Sequence, residues 1–232
     1  MKKTLRRILR VTKWAVVAFF VSSILSVVVL RFMPVYYTPL MFIRLFEQDE
    51  LKLSHKWVPL EEMSPQMPLA AMAGEDARFT EHHGFDFEAI QAAMERNRLH
   101  PEKNKLGAST ISQQTAKNVF LWPGRSWVRK GFEVYFTALI ELFWSKQRIM
   151  EVYLNSIETG EGIYGVEAVA QEHFNCSAEK LSREQCALIA VTLPNPRRFS
   201  SLHPSAYVLK RQKRILREMK FVPSLPAKGK DK

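Results

Sequence analysis

Residues 107–118 read GASTISQQTAKN, a run of hydroxyl, amide and basic side chains in a chain that is 47% hydrophobic. Such side chains are costly to bury without hydrogen-bond partners. Because residues four apart share a helical face, a helix here would carry rows of polar groups from Thr110, Gln113, Gln114, Lys117 and Asn118. The stretch is therefore either the start of a soluble helix or the wall of a site for an oxygen-rich ligand, such as a sugar or a phosphate.

A group of cations begins within this stretch and continues beyond it, with a single carboxylate after them. The cations are Lys117, Arg125, Arg129 and Lys130, and Glu133 comes next. Arg129 and Glu133 are four residues apart, so the simplest interpretation is a helical ion pair worth about 0.3 kcal/mol. Several cations around one carboxylate also suit a diphosphate, whose negative charge grows as it leaves.

Two carboxylates, Glu75 and Asp76, directly follow the apolar run PLAAMAG. A carboxylate that emerges from an apolar helix can be held in a partly desolvated cleft, with its pKa raised toward the working pH. The alternative is an ordinary charged helix terminus.

The N-terminal region predicts a membrane anchor. Residues 14–30, WAVVAFFVSSILSVVVL, carry no charge and can just span a hydrocarbon core of about 30 Å. Six basic residues precede this segment, which favours a cytoplasmic N-terminus and a domain on the outer side. A cleaved signal peptide is the alternative, but the following RFMPVYY contains no A-x-A-like cleavage site.

The rest of the chain reads as one mostly α domain. We expect a basic cytoplasmic segment (1–13), an anchor (14–32), an irregular connector (33–56), the domain (57–220) and a polar tail (221–232). Helix starts are predicted at Ser64-Pro65, Asp86, Ser126, Ser145, Ser182 with Gln185, and Ser205. No strand-like alternation of apolar and polar residues is present. The formal net charge of +11 is concentrated before residue 33, so nucleic acid is not an expected partner.

The long helix predicted after Ser126 has two distinct faces. Its apolar face, which we expect to pack on the core, consists of Val128, Phe132, Tyr135, Phe136, Leu139, Leu142 and Phe143. The other face carries Arg129, Glu133, Thr137 and Glu141 at intervals of four.

No metal-ligand pattern is present in the sequence. Cys-x-x-Cys and His-Glu-x-x-His are both missing, and the adjacent His82 and His83 would point in different directions. Cys176 and Cys186 can pair in an oxidising compartment, or they are two small buried side chains.

Four blocks, EDARFTEHHGFD, GASTISQQTAKN, RKGFE and KQRIMEVYLN, resemble the peptidoglycan glycosyltransferases in order and spacing. This family comprises the polymerase domains of bifunctional penicillin-binding proteins and the monofunctional transglycosylases. The similarity covers roughly residues 57–200, and LPNPRRFS near residue 200 fits the monofunctional group. The resemblance implies a lysozyme-like helical fold with a membrane-proximal lobe.

The resemblance also implies a substrate and a general base. The substrate is lipid II, a disaccharide-pentapeptide on undecaprenyl diphosphate, together with the growing lipid-linked glycan. Glu75 matches the base that takes the proton from the acceptor 4-hydroxyl as this oxygen attacks the donor anomeric carbon with inversion.

Roles for the polar and basic residues are implied in the same way. Lys117 and Arg125 match phosphate-binding residues, and Arg129 and Lys130 match the basic pair of the third block. Glu133 matches the second glutamate, near the leaving diphosphate. The sugar and phosphate path would be lined by Ser109, Thr110, Gln113, Gln114 and Asn118. A divalent cation, Mg²⁺ or Mn²⁺, can assist the diphosphate, and other cell-wall synthases or division proteins are possible partners.

Three other functions compete with this interpretation. A lytic transglycosylase or lysozyme would share the fold and one central glutamate, but it has no need of cations for a departing diphosphate. A penicillin-binding transpeptidase would need K-T-G or S-D-N motifs after the S-x-x-K match at Ser177–Lys180, and neither follows. A non-catalytic membrane adaptor is disfavoured because all the charged positions are kept.

Overall fold

The structure is a computed structural model that describes residues 2–47, 51–103, 105–124 and 126–226. The chain divides into two compact units, Met1–Pro34 and Val35–Lys232. The first unit contains one helix, α1 (Lys2–Leu30). Within it, Thr4–Leu30 is long and apolar enough to cross a membrane, with a mean hydropathy of 2.2 over a window of 18 residues.

The second unit is mostly helical, which confirms the predicted fold class. Its helices are α2 (Pro39–Phe46), α3 (Gln66–Glu75), α4 (Phe87–Leu99), α5 (Ile111–Phe120), α6 (Trp127–Phe143), α7 (Lys146–Ser156), α8 (Val166–Phe174), α9 (Arg183–Thr192) and α10 (Ala206–Glu218). Two short 3-10 helices span Leu60–Glu62 and Ala178–Lys180.

Side-chain caps begin most of these helices where the sequence predicted them. The side chains of Asp86, Ser126, Ser145 and Ser205 each accept a hydrogen bond from a backbone N–H three residues on. Ser182 and Gln185 form a reciprocal capping box at α9. The expected cap at Ser64 was wrong: α3 begins at Gln66 after Pro65, without a side-chain bond.

A small sheet was not expected from the sequence. Its strands, β1 (Ser54–His55), β2 (Glu158–Gly160) and β3 (Ile163–Tyr164), lie in the order β1-β3-β2. β1 pairs with β3 in parallel, and β2 pairs with β3 antiparallel. Strands of two or three residues are too short to leave an alternating pattern, which explains why the sequence shows none.

The segment predicted to be an irregular connector contains a regular helix, α2. Thr38 accepts a hydrogen bond from the backbone of Met41, and Pro39 occupies the first turn. Threonine followed by proline is a recognised helix start signal, because the side chain caps the helix and proline suits its first turn. The scattered prolines and aromatics concealed this signal, so the expectation of an irregular segment was wrong here.

The core lies between two sets of packed helices. α3 packs on α9 and α9 on α10, while α5 packs on both α6 and α7. The largest fully buried side chains include Phe79, Tyr153 and Tyr164. This arrangement places the C-terminal end of α3 beside the N-terminal half of α5, where the candidate site forms.

The buried face of α6 differs from the predicted one. Phe136 and Ile140 are buried, but so are Arg129, Glu133 and Thr137 of the polar face. Two members of the expected apolar face, Val128 and Leu142, are 68% and 64% exposed. The prediction was wrong for these two residues because α5 packs against α6 and brings polar groups of both helices together.

Candidate active site

Glu75 is the last residue of α3, at the end of a helix whose other residues are mainly buried and apolar. The amide Nε2 of Gln114 donates to Oε2 of Glu75 at 2.7 Å. Burial raises the pKa of Glu75 to about 6, against the opposing effects of the Gln114 bond and the charges of Arg211 and Lys117. The site thus holds a carboxylate whose proton exchanges near neutral pH.

The neighbouring carboxylate, Asp76, has a different environment because it turns into the protein. It is buried and accepts a hydrogen bond from the backbone N–H of Ile111 at 2.9 Å. Nε2 of His82 contacts the same carboxylate at 2.9 and 3.1 Å. Asp76 therefore fixes the first turn of α5 to the end of α3, which sets the position of Glu75 relative to Gln114.

The start of α5 is held by its own polar side chains. Thr110 and Gln113 form a capping box, in which each side chain bonds the backbone of the other. Oγ1 of Thr110 also donates to the carbonyl of Gly84 at 2.6 Å. Both residues are buried, so in this structure they secure the helix start and are not part of an open surface.

Gln114 connects Glu75 to a buried phenol. Its Oε1 lies 3.4 Å from the hydroxyl of Tyr153, while its Nε2 donates to Glu75. Tyr153 is fully buried, and burial raises the pKa of its hydroxyl, so it stays protonated as a donor. Tyr153 was not predicted as a site residue from the sequence, although it lies within the block KQRIMEVYLN.

Lys117 lies one helical turn beyond Gln114 and is half-buried. Burial lowers the pKa of its ammonium, while the charges of Glu133 and Glu75 raise it and the charge of Arg129 lowers it. Lys117 is thus within electrostatic range of both glutamates. Among the described residues, no carboxylate forms an ion pair with its ammonium, which leaves the ammonium available for an anion.

Glu133 is buried between two cations of its own helix. Nη1 of Arg129 donates to one carboxylate oxygen at 2.8 Å, and the ammonium of Lys130 bonds the other. The predicted pair between Arg129 and Glu133 is therefore present, but it is buried and not on the surface. Both oxygens of Glu133 are occupied, so this carboxylate orients the cations and partly balances their charge.

The remaining predicted site residues differ in position. Ser109 is exposed just before α5. Asn118 is buried at 1% exposure, and its amide has no hydrogen-bond partner among the described residues. It therefore does not lie on an open path for a substrate. Arg125 lies outside the described residues, and its role stays a prediction.

Arg211 of α10 is a cation that was not predicted from the sequence to belong to the site. It is half-buried, and its charge lowers the pKa of Glu75. α10 packs on α3, so this side chain approaches the site from the side of α3. The only sequence signal was a strongly basic terminal helix, which does not distinguish one cation from its neighbours.

One group of described residues has the spacing of metal ligands, namely Asp76, His82 and Asp86. All three are buried, and their existing bonds belong to the fold. Asp76 binds Ile111 and His82, and Asp86 caps α4 through the backbone of Ala89. A cation here would displace these bonds, so the group is better explained as a structural support.

Neither the cysteines nor the S-x-x-K match forms a hydrogen bond or ion pair with these groups among the described residues. Cys176 and Cys186 are both free thiols, and Cys186 is buried. Ser177 precedes the 3-10 helix Ala178–Lys180 and makes no side-chain cap bond.

Comparison with known proteins gives a consistent result. The model of the family described as "Transglycosylase" matches residues 44–220. A biosynthetic peptidoglycan transglycosylase of Bacteroides thetaiotaomicron is 62% identical over 226 residues, which cover 96% of this chain and 90% of that protein. Proteins of the same name from Bdellovibrio bacteriovorus and Caulobacter vibrioides are 55% and 51% identical, over 92% and 93% of this chain and 87% and 93% of their own.

Proposed function

The chain belongs to the transglycosylase family and is a peptidoglycan glycosyltransferase of cell-wall synthesis with a lysozyme-like fold, and we propose that it polymerises lipid II. The observation that carries this proposal is the combination of Glu75 with the cations around Glu133. A carboxylate of raised pKa serves a proton transfer, and a group of cations serves a leaving group that gains negative charge.

Glu75 is the general base in the proposed reaction. Its carboxylate takes the proton of the acceptor 4-hydroxyl, whose oxygen attacks the donor anomeric carbon. The bond from that carbon to the diphosphate breaks, the configuration inverts, and undecaprenyl diphosphate leaves. With a pKa of about 6, Glu75 is mainly ionised at pH 7 and can accept this proton. The bond from Gln114 holds the carboxylate in one orientation.

The cations stabilise the departing diphosphate. Lys117 has no carboxylate partner among the described residues, while Arg129 and Lys130 are held in position by Glu133. Charge-assisted bonds from such groups strengthen as the phosphate oxygens gain charge. Glu133 acts as a positioning residue, because both of its oxygens are already bonded.

A divalent cation has no ligand set among the described residues of this site. The oxygens of Glu133 are bonded to cations, and Oε2 of Glu75 accepts from Gln114. Mg²⁺ or Mn²⁺, if used, would bind through the diphosphate oxygens and water.

We further propose that α1 anchors the chain in the cytoplasmic membrane with its N-terminus inside. Six basic residues and no acidic residue precede the apolar span, and this charge distribution supports the orientation. The catalytic unit then lies on the periplasmic side, where a lipid-linked substrate can reach the candidate site. Other cell-wall synthases and division proteins remain expected partners.

Synthesis and cleavage of glycans are distinguished by supplying both substrates. Purified full-length protein in detergent is incubated with labelled lipid II and, separately, with intact cell-wall sacculi. We expect glycan products from lipid II and no soluble fragments from sacculi. Lys117→Gln should lower the rate of polymerisation by about a hundredfold, since it removes a charge that binds the leaving group. Release of fragments from sacculi without polymer would favour the lytic alternative.

A further inference from the structure

α2 is fixed to the second unit by its first turn. The side chain of Thr38 accepts from the backbone of Met41 at 3.2 Å, and Leu40 and Met41 are buried. The helix packs against α5, the helix that carries Lys117. α2 therefore has a defined position beside the candidate site, although it precedes the residues where the four family blocks begin.

Arg44 lies in the last turn of α2 and is half-buried. Its charge is near enough to Lys117 to lower the pKa of that lysine, and near enough to Tyr164 of β3 to oppose the pKa rise that burial causes there. Nη1 of Arg44 donates to Glu47 at 2.7 Å. Its Nε is buried and has no hydrogen-bond partner among the described residues. Nη1 of the guanidinium is therefore hydrogen-bonded at the surface, whereas its Nε has no hydrogen-bond partner among the described residues.

Lys117 lies within electrostatic range of two glutamates and two arginines, but among the described residues no carboxylate forms an ion pair with its ammonium. Both oxygens of Glu133 are taken by Arg129 and Lys130. Arg44 and Lys117 are then two neighbouring cations that share no described carboxylate. Like charges in a partly buried site repel each other. An anion with several oxygens that contacts Lys117 and the accessible part of the Arg44 side chain, which is 28% exposed, would remove this repulsion.

We propose that Arg44 is a further diphosphate-binding residue of the active site. The anion site then draws cations from three helices: Arg44 from α2, Lys117 from α5, and Arg129 with Lys130 from α6. A guanidinium suits this role because its planar donors can bind two phosphate oxygens at once. This inference rests on the proposed function, since the diphosphate is that of the lipid-linked substrate.

The test compares Arg44→Gln with a matched control in the full-length protein in detergent. Arg98→Gln is the control, because Arg98 also pairs with a glutamate three residues away, on α4. Binding of inorganic pyrophosphate is measured by titration calorimetry, and kcat and KM are measured with lipid II. We expect Arg44→Gln to weaken pyrophosphate binding and to lower kcat/KM by about tenfold each. Arg44→Lys should recover part of both, and Arg98→Gln should change neither.

A second variant separates diphosphate binding from a merely structural ion pair. If Arg44 acted only through its pair with Glu47, Glu47→Gln would reproduce the effect of Arg44→Gln. We expect Glu47→Gln to retain full pyrophosphate binding, because it frees the guanidinium. If Arg44→Gln equals the wild type in both measurements, or if Glu47→Gln matches Arg44→Gln, the inference is overturned while the proposed function stands. A wild type that neither binds pyrophosphate nor polymerises lipid II would overturn both.

Discussion

Burial raises the pKa of the Glu75 carboxyl group, whereas the Gln114 hydrogen bond and the nearby positive charges lower it. Burial dominates and raises the pKa of the group to about 6. Because a general base must be ionised, kcat/KM should fall about tenfold per unit as the pH drops below about 6. Initial rates of polymerisation between about pH 5 and 8 at constant ionic strength measure this dependence. A rate that does not change across pH 6 would exclude Glu75 as the base in the rate-limiting step.

Glu133 should matter for stability as well as for catalysis. Its carboxylate is 4% exposed and balances Arg129, which is 11% exposed. Removing one partner of a buried pair leaves the other charge uncompensated, so Glu133→Gln should lower the free energy of unfolding by about 3 kcal/mol. Urea denaturation of the detergent-solubilised protein provides the measurement.

Glu95→Gln is the control for that change, because Glu95 pairs with Arg98 at an exposed site on α4. Exposed pairs contribute little to stability, and this variant should unfold at the urea concentration of the wild type. If Glu133→Gln and Glu95→Gln lowered the free energy of unfolding equally, the burial of the Glu133 pair would make no contribution to stability.

At the scale of elements, α6 contains a glycine that its helix does not require. A Cβ built on Gly131 would have nothing within 4 Å, and glycine inside a helix costs about 0.5–1 kcal/mol relative to alanine. Gly131→Ala should therefore raise the stability by about this amount, as seen in a higher Tm. A lower Tm for Gly131→Ala would contradict this account of α6.

Gly165 provides the opposite case. Its φ is 81°, and an added Cβ would lie 2.7 Å from the carbonyl oxygen of Asn155. Gly165→Ala should destabilise the protein by about 2 kcal/mol or more.

The sequence-based predictions were correct where the interactions are local in the chain, and they failed where the interactions join distant segments. Capping signals such as Asp86 and Ser126 are local, so most helix starts were predicted correctly. The burial of Arg129 and Glu133 depends on α5 packing against α6, which the periodicity of α6 alone cannot reveal. Tyr153, Arg211 and Arg44 join the site from elements remote in the chain. The raised pKa of Glu75 was predictable, because the apolar run before it already indicated burial.

At the scale of the whole molecule, the anchor should determine which side of the membrane carries the catalysis. The proposed orientation predicts that protease added to intact spheroplasts digests the second unit and leaves a short fragment containing α1. A cytoplasmic protein and a periplasmic protein serve as controls for spheroplast integrity. Protection of the second unit until the spheroplasts are lysed would contradict the orientation.

The central claim, that Glu75 is the base of a lipid II polymerase, is tested most directly by one comparison. Wild type and Glu75→Gln are incubated with labelled lipid II, and the glycans are separated on a gel before and after muramidase treatment. The account predicts a muramidase-sensitive polymer from the wild type and none from the variant, whose circular dichroism spectrum should match that of the wild type. Polymer of similar amount from a folded Glu75→Gln protein would contradict the claim.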